Sequence, residues 1–153
     1  MENDHRQWME LALLEAKAAA DVGEVPVGAV IVNADGLLAT GRNDREASQS
    51  PLGHAEIRAV EKAVRKVGSW RLEGCTIYVT LEPCIMCMGA LLQSRVEKLV
   101  FGARDPKAGA VRSLYELASD QRLNHVIEVV EGVLEEESSK MLKEFFKKLR
   151  NKS

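Results

Sequence analysis

Two short motifs constrain the fold of this chain more than any other feature. The first is His54-Ala55-Glu56, and the second, which begins thirty residues after His54, is the pair Cys84 and Cys87 preceded by Pro83. Cysteines three positions apart lie on one face of a helix, so both thiols can reach the same ion. Pro83 is typical of a helix start. If the imidazole of His54 joins the two thiols, the fold must bring two helix N-termini face to face.

These residues form a candidate metal site. Thiolates and imidazoles are ligands of zinc, and a site with three protein ligands leaves a position for water, as catalytic zinc requires. Glu56 does not share a helix face with His54, so it is better placed to contact that water than to be a fourth ligand. A carboxylate there can act as general base and then as general acid. The motifs favour a hydrolytic enzyme with one zinc per chain; a redox cysteine pair and a non-catalytic, zinc-stabilised RNA-binding module remain alternatives.

Apolar periodicity predicts helices that alternate with strands along the chain. We expect helices over residues 4–21, 52–67, 84–93, 113–118 and 134–149, and strands over residues 25–32, 37–41, 76–80, 96–101 and 126–130. The first two strands are predicted to form a hairpin about the turn at residues 33–36. This alternation indicates a three-layer α/β/α sandwich. Since the chain has 153 residues and no linker, we expect one domain, residues 1–153.

Composition limits the class further. The net charge of −2 is not that of a general nucleic-acid binder, and no apolar run approaches membrane-spanning length. Three cysteines, an odd number without a secretory signal, favour a protein of the reducing cytoplasm over a disulfide framework. Residues 135–137 are all glutamate, and lysine and arginine dominate residues 140–152. That asymmetry suits a helix dipole or a phosphate-contacting tail.

The combination of H-x-E and P-C-x-x-C resembles the signature of zinc nucleobase deaminases. Over roughly residues 6–150 the chain is similar to bacterial tRNA-specific adenosine deaminases, in segments 24–30, 78–84, 94–96, 100–105, 123–125 and 145–150. The resemblance implies a cytidine deaminase-like fold with a mixed, mostly five-stranded sheet, and a homodimer that acts on a tRNA anticodon stem-loop. It also implies conversion of adenosine to inosine at the wobble position, by attack of zinc-activated water on adenine C6 with loss of ammonia. A zinc deaminase of a free base or nucleoside, such as guanine, cytidine or dCMP, would carry the same zinc motif.

The resemblance also implies roles for particular residues. The zinc ligands and the proton carrier would be His54, Cys84, Cys87 and Glu56. The residues that contact the RNA would be Asn43, Ala55, Asp105, Lys107 and Phe146. The amide of Asn43 offers adenine both a donor and an acceptor. The backbone N–H of Ala55 would also hold the base, Asp105 and Lys107 would contact the flanking nucleotides, and Phe146 could stack on a base of the anticodon loop.

The chain departs from the family pattern in two places. Ser-Pro-Leu-Gly at residues 50–53 replaces the usual Asp-Pro-Thr-Ala before the histidine, so we expect a reshaped helix start with Ser50 still accepting a backbone hydrogen bond. Arg112 stands where a small residue is common, and could alter the RNA contacts or the dimer surface. We expect the following side chains to pack in the interior: Trp8, Trp70, Cys75, Phe145 and Leu149.

Overall fold

Five strands form one mixed sheet in the computed structural model, which describes residues 2–152. The strands are β1 (Gly28–Asn33), β2 (Gly36–Arg42), β3 (Thr76–Leu81), β4 (Lys98–Ala103) and β5 (Glu128–Glu131), and their order across the sheet is β2-β1-β3-β4-β5. β1 is antiparallel to both β2 and β3, whereas β3, β4 and β5 are parallel. The predicted hairpin and the mixed five-stranded sheet are therefore confirmed.

Helices cover both faces of the sheet, as the three-layer prediction requires. They are α1 (Glu2–Asp21), α2 (Arg45–Ser48), α3 (Ala55–Val67), α4 (Ile85–Gln93) and α5 (Glu135–Asn151), and a 3₁₀ turn lies at Leu117–Ser119. α3 and α4 pack on one face, and α1 and α5 pack on the other. Within residues 2–152, no helix combines the length and the apolar character needed to cross a membrane.

The strand directions bring three chain segments to one edge of the sheet. Because β1 is antiparallel to both of its neighbours, β2 runs in the same direction as β3 and β4. The carboxyl ends of these three strands therefore lie at the same edge, where α/β sheets commonly bind ligands. Asn43 follows β2 there, Glu82 follows β3 and Arg104 follows β4. Residues that are far apart in the sequence thus meet around one depression.

Small residues let α3 approach the sheet closely. Its buried face consists of Ala55, Ala59 and Ala63, all fully inaccessible to solvent. The opposing position on β2 is Gly41, where a Cβ atom would lie 2.3 Å from the Ala55 carbonyl oxygen and 2.6 Å from the Ala59 nitrogen. A side chain at residue 41 would therefore push away the helix whose first turn carries Glu56.

The structure corrects several predicted boundaries. β1 begins at Gly28 rather than at residue 25, because the backbone turns before it, with the Val27 N–H donating to the Val25 carbonyl. α3 begins at Ala55 rather than at residue 52. The loop after β2 contains the short helix α2, which was not predicted. The helix predicted over residues 113–118 is reduced to the 3₁₀ turn at Leu117–Ser119.

Two of the expected interior residues lie at the surface. Trp70 is 58% exposed and stacks against the guanidinium of Arg71, 4.9 Å from its ring centre. Leu149 is 54% exposed in the last turns of α5. Both predictions were wrong, because apolar character alone does not say whether a partner surface lies opposite. Cys75 is buried as expected, Trp8 is half-buried against the core, and Phe145 is half-buried.

Candidate metal centre and active site

Two helix N-termini meet at the predicted metal site. His54 and Cys84 are the residues immediately before α3 and α4, both in extended backbone conformations, and neither side chain caps its own helix. Cys87 lies in the first turn of α4. The Nδ1 atom of His54 is 3.5 Å from the Sγ atoms of both Cys84 and Cys87. The three ligand atoms lie within 4.8 Å of one another, so these residues could hold a metal ion.

A cavity of about 220 Å³ opens beside His54 and Cys84. It is lined by Val25, Val27, Asn43, Arg45, His54, Ala55, Glu56, Leu81, Glu82, Cys84, Asp105 and Ala108. Pockets for drug-sized ligands are typically about 300–1,000 Å³, so this cavity is small by comparison. The Glu56 side chain is only 4% exposed, and it faces this cavity from the first turn of α3.

Burial and hydrogen bonds shift the pKa values of the ionisable groups in the site in different directions. Burial raises the pKa of the Glu56 carboxyl to about 7, and the negative charge of Cys84 adds to this effect. The hydrogen bond with the Cys87 thiol, supported by the one with His54, lowers the pKa of Cys84 to about 4 against the effect of burial. The hydrogen bond with Cys84 raises the pKa of His54. The hydrogen bond with Cys84, together with burial, raises the pKa of Cys87.

One rim of the cavity is formed by the segment that follows β2. Asn43 is buried here, and its backbone N–H donates to the Val27 carbonyl. Arg45, which sequence reasoning missed, also lines the cavity. Glu24, a buried carboxylate from the segment before β1, accepts hydrogen bonds from the N–H groups of Glu46 and Ala47, at 3.1 and 2.7 Å. Glu24 therefore fixes the start of α2, next to Asn43.

The opposite rim is the loop at residues 105–113, called the rim loop below. Asp105 and Ala108 line the cavity, and the Asp105 carboxylate accepts the N–H groups of Lys107 and Ala108. The buried carboxylate of Glu82 lies beneath the loop. Burial alone would raise the pKa of Glu82, but hydrogen bonds from the Ser113 hydroxyl and from backbone N–H groups lower it to about 2.

The remaining predicted RNA-contact residues lie in and beside the cavity. Ala55 is the first residue of α3, so its N–H has no acceptor within the helix, and the residue lines the cavity. Lys107 and Phe146 lie outside the cavity, in a shallow groove that they share with Leu142, Lys143, Leu149 and Arg150. Phe146 is 40% exposed. The fold thus places Asn43, Ala55 and Asp105 around the cavity and brings Lys107 next to the C-terminal helix.

The two departures from the family pattern have structural consequences that can be described. The Ser50 hydroxyl accepts a hydrogen bond from the Leu52 N–H at 3.1 Å, as predicted. The guanidinium of Arg112 lies 3.4 Å from the carboxylate of Glu131, which also pairs with Arg104 at 2.8 Å. Arg112 therefore fastens the end of the rim loop to β5, on the outer surface.

The match to a family model agrees with the fold and the site. The model described as MafB19-like deaminase matches residues 3–150. The mixed five-stranded sheet between helices, and the His/Cys/Cys group next to a buried glutamate, thus belong to a chain of a deaminase family.

Similar proteins identify the family within the deaminases more closely. The chain is 52% identical over 145 residues to the tRNA-specific adenosine deaminase of Bacillus subtilis strain 168. The aligned region covers 95% of this chain and 90% of that protein. A solved structure from a study of A-to-I editing by tRNA:A34 deaminases at the wobble position of transfer RNA is 40% identical. It has a TM-score of 0.86 and covers 89% of this chain and 99% of that chain. The chain belongs to the family of the tRNA-specific adenosine deaminases.

Another solved structure shares the fold at a lower identity. The guanine deaminase of Nitrosomonas europaea is 24% identical to this chain, with a TM-score of 0.80, over 92% of this chain and 83% of that chain. This likeness extends to the fold alone.

Sequence reasoning did not single out three residues of the site: Glu24, Arg45 and Glu82. A signal existed for both glutamates, since each is an acid directly beside an apolar strand segment, in Gly23-Glu24-Val25 and in Leu81-Glu82-Pro83. Charged side chains are almost never fully buried unless they are paired. Arg45 has no comparable signal, because an arginine in a polar loop is ordinary.

Proposed function

We propose that this protein is a zinc-dependent hydrolase that deaminates adenosine to inosine at the wobble position of a tRNA anticodon. The observation that carries the proposal is the His54, Cys84 and Cys87 group, two of whose members line one small cavity together with Glu56. The family to which the chain belongs supports the choice of substrate. The charge and shape of the groove next to the rim loop support an RNA substrate rather than a free nucleoside.

The donor set supports zinc as the metal. In tetrahedral sites the Zn–S distance is about 2.3 Å and the Zn–N distance is about 2.0 Å, which separates adjacent nitrogen and sulfur ligands by about 3.5 Å. The His54 nitrogen lies 3.5 Å from each of the two sulfurs. Two thiolates and one imidazole are also the softer ligand set that zinc accepts and magnesium or calcium does not. Bound there, zinc would make water nucleophilic near neutral pH.

Glu56 would move the protons of the reaction. Burial raises the pKa of its carboxyl, and a carboxyl group can act in turn as general base and general acid. As a carboxylate, Glu56 accepts a proton from the attacking water; as an acid, it delivers that proton to the departing amine. A C6–O bond forms, the bond between C6 and the exocyclic nitrogen breaks, and one water is consumed for each ammonia released.

The cavity would hold the adenine by its edges. The Asn43 side chain can donate to and accept from the base, and the N–H of Ala55 at the start of α3 is available as a further donor. A base inside a cavity of about 220 Å³ must first leave its stack, as enzymes acting on nucleobases require. An anticodon loop offers such a base with little unpairing.

The outer surface supports an RNA partner. Asp105 and Lys107 would contact the nucleotides that flank the target, and Phe146 would stack on an anticodon base. The groove that Lys107 shares with Phe146 also contains Lys143 and Arg150, whose charges suit phosphates. This groove begins at the rim loop, so one anticodon stem-loop could reach both the cavity and the C-terminal helix.

The assembly and cellular location are also proposals. We propose a homodimer, supported by large apolar side chains that remain exposed near the site: Leu52, Ile85, Leu114 and Tyr115, each more than 50% accessible. We further propose that residues 1–153 form one deaminase domain and that the protein acts in the cytoplasm, where reduced thiols suit a cysteine-ligated metal. Sedimentation of the zinc-loaded protein at the mass of one chain would contradict the dimer.

Inosine formation on an anticodon stem-loop tests the proposed reaction. The purified protein is incubated with a stem-loop that carries adenosine at the wobble position, and the nucleosides are separated after digestion. A matched stem-loop with the adenosine one position away should remain unedited. Deamination of free guanine, cytidine or dCMP, with no inosine in the stem-loop, would contradict the tRNA assignment and favour the free-base alternative.

A further inference from the structure

We propose that Glu82 is a positioning residue, which holds the rim loop in the shape that receives the substrate. The proposal rests on the proposed function, because the rim loop carries Asp105 and Lys107. In the sequence, Glu82 lies between the end of β3 and Cys84, a proposed metal ligand. Its carboxylate accepts hydrogen bonds from the rim loop, which follows β4.

Both carboxylate oxygens of Glu82 accept hydrogen bonds from the rim loop. Oε1 accepts the Asp105 N–H at 2.9 Å and the Ser113 hydroxyl at 2.6 Å. Oε2 accepts the N–H groups of Val111, Arg112 and Ser113 at 3.0, 2.8 and 3.0 Å. The buried Glu82 side chain therefore binds both the beginning and the end of the loop through hydrogen bonds. Four of these donors are backbone groups, so the bonds fix the path of the main chain.

The fit between the loop and the carboxylate leaves no room for a side chain at Gly109. A Cβ atom at Gly109 would lie 2.3 Å from the Glu82 carboxyl carbon, so the middle of the loop rests directly on the carboxylate. The Ala110 N–H also donates to the Pro83 carbonyl at 2.8 Å. Between its fixed points the loop presents Asp105 and Ala108 to the cavity.

The outer fastenings of the loop are weaker. Arg104 and Arg112 pair with Glu131, but these groups lie at the surface, where ion pairs contribute about 0–1 kcal/mol. A buried carboxylate that accepts several charge-assisted hydrogen bonds holds its partners more strongly. Glu82 is thus the group that sets the loop conformation, and Glu131, a β5 residue that pairs with Arg112 of the loop, offers a matched control.

The substitution Glu82→Gln tests the proposal because it is nearly isosteric. The amide oxygen can replace Oε2 and accept from residues 111–113, and the Ser113 hydroxyl can rotate to accept from the amide nitrogen. The Asp105 N–H then faces an N–H donor and loses its acceptor. Hydrogen exchange should therefore rise at residues 105–108 and stay unchanged in the zinc-binding helices. We expect the KM for the stem-loop to rise roughly tenfold, with kcat within about threefold of wild type and zinc content unchanged.

Glu131→Gln, the control, should leave KM, kcat and exchange at residues 105–108 at wild-type values. If Glu82→Gln fails to fold, Ser113→Ala, which removes one of the five hydrogen bonds, should raise KM about threefold with zinc retained. Unchanged hydrogen exchange at residues 105–108 in Glu82→Gln would overturn the proposal. Loss of both zinc and kcat in this variant would also overturn it, because that result would assign Glu82 to the metal site. If the wild-type protein edits no stem-loop, the proposed function fails, and the exchange result with the KM for whichever base is turned over still decides the role of Glu82.

Discussion

At the scale of single residues, position relative to the helix start decides what each group in the site can do. His54 and Cys84 each have an extended backbone conformation and immediately precede a helix. Their side chains therefore project from the helix ends toward one point. Glu56 lies one residue into α3 beyond Ala55 and is buried beside the cavity. Since positions i and i+2 of a helix do not face the same way, the side chains of His54 and Glu56 can take different roles, which we propose to be metal binding and proton transfer.

Replacing Glu56 by glutamine should abolish proton transfer while keeping the metal. We expect kcat for inosine formation to fall by about 10³-fold, within the range that general acid–base groups contribute, with zinc content unchanged. Glu61→Gln, on the exposed face of the same helix, is the matched control and should retain activity. A Glu56→Gln protein with full activity would favour the non-catalytic, zinc-stabilised alternative.

His5 offers a prediction of pH dependence on the opposite face of the sheet. Its Nδ1 atom lies 2.8 Å from the Tyr78 hydroxyl, and burial, with the charge of Lys98, lowers the pKa of His5 below 6.5. The unfolded chain therefore binds this proton at a higher pH than the folded chain does, so the stability contribution is present above pH 6.5 and is lost as the pH falls through the folded pKa.

We therefore expect the free energy of unfolding to fall more steeply in wild type than in His5→Gln as the pH drops from about 7 to about 5. Denaturant titrations at several pH values measure this difference. Protonation of the metal ligands affects both proteins alike, so it cancels in the comparison. Parallel curves for the two proteins would show that His5 does not couple folding to pH.

At the scale of elements, α5 combines two functions along its length. Its first turn contains Glu135, Glu136 and Glu137, which suit the positive end of the helix dipole, and Ser138 is buried against the sheet. Its last turns carry the exposed Phe146 and Leu149 among basic residues. The same helix therefore packs on the sheet at one end and presents an amphipathic surface beside the rim loop at the other.

Phe146→Ala should weaken binding of the anticodon stem-loop by about 10- to 100-fold, since stacking of a base on an aromatic ring contributes about 1–3 kcal/mol. Fluorescence anisotropy with labelled RNA measures the change in Kd. Trp70→Ala, which removes another exposed aromatic ring outside the groove, is the matched control and should bind normally. Equal effects of the two substitutions would show that the groove is not the RNA surface.

At the scale of the whole molecule, a metal ion held by His54, Cys84 and Cys87 would join the starts of α3 and α4. α3 and α4 pack on the same face of the sheet, and the ligands come from the start of each helix. A bound ion should therefore stabilise the fold as well as supply the chemistry, since any ligand that binds only the folded state raises its stability by mass action.

Removal of zinc by a chelator should abolish inosine formation and lower the melting temperature, and added Zn²⁺ should restore both. Mg²⁺ should restore neither, because it prefers oxygen ligands in an octahedral arrangement. Elemental analysis of the purified protein should give one zinc per chain. Full activity of a metal-free protein would contradict the proposed chemistry.

The sequence by itself determined the metal group, the buried glutamate and the class of fold. The His/Cys/Cys group and Glu56 belong to motifs that span three to five residues, and periodicity separates strands from helices, so both signals are local. The tertiary structure decided that Trp70 and Leu149 are exposed, and that Glu24 and Glu82 hold the two rims of the cavity. These features depend on groups more than twenty residues apart in the sequence, and only the directions of the strands bring such groups together.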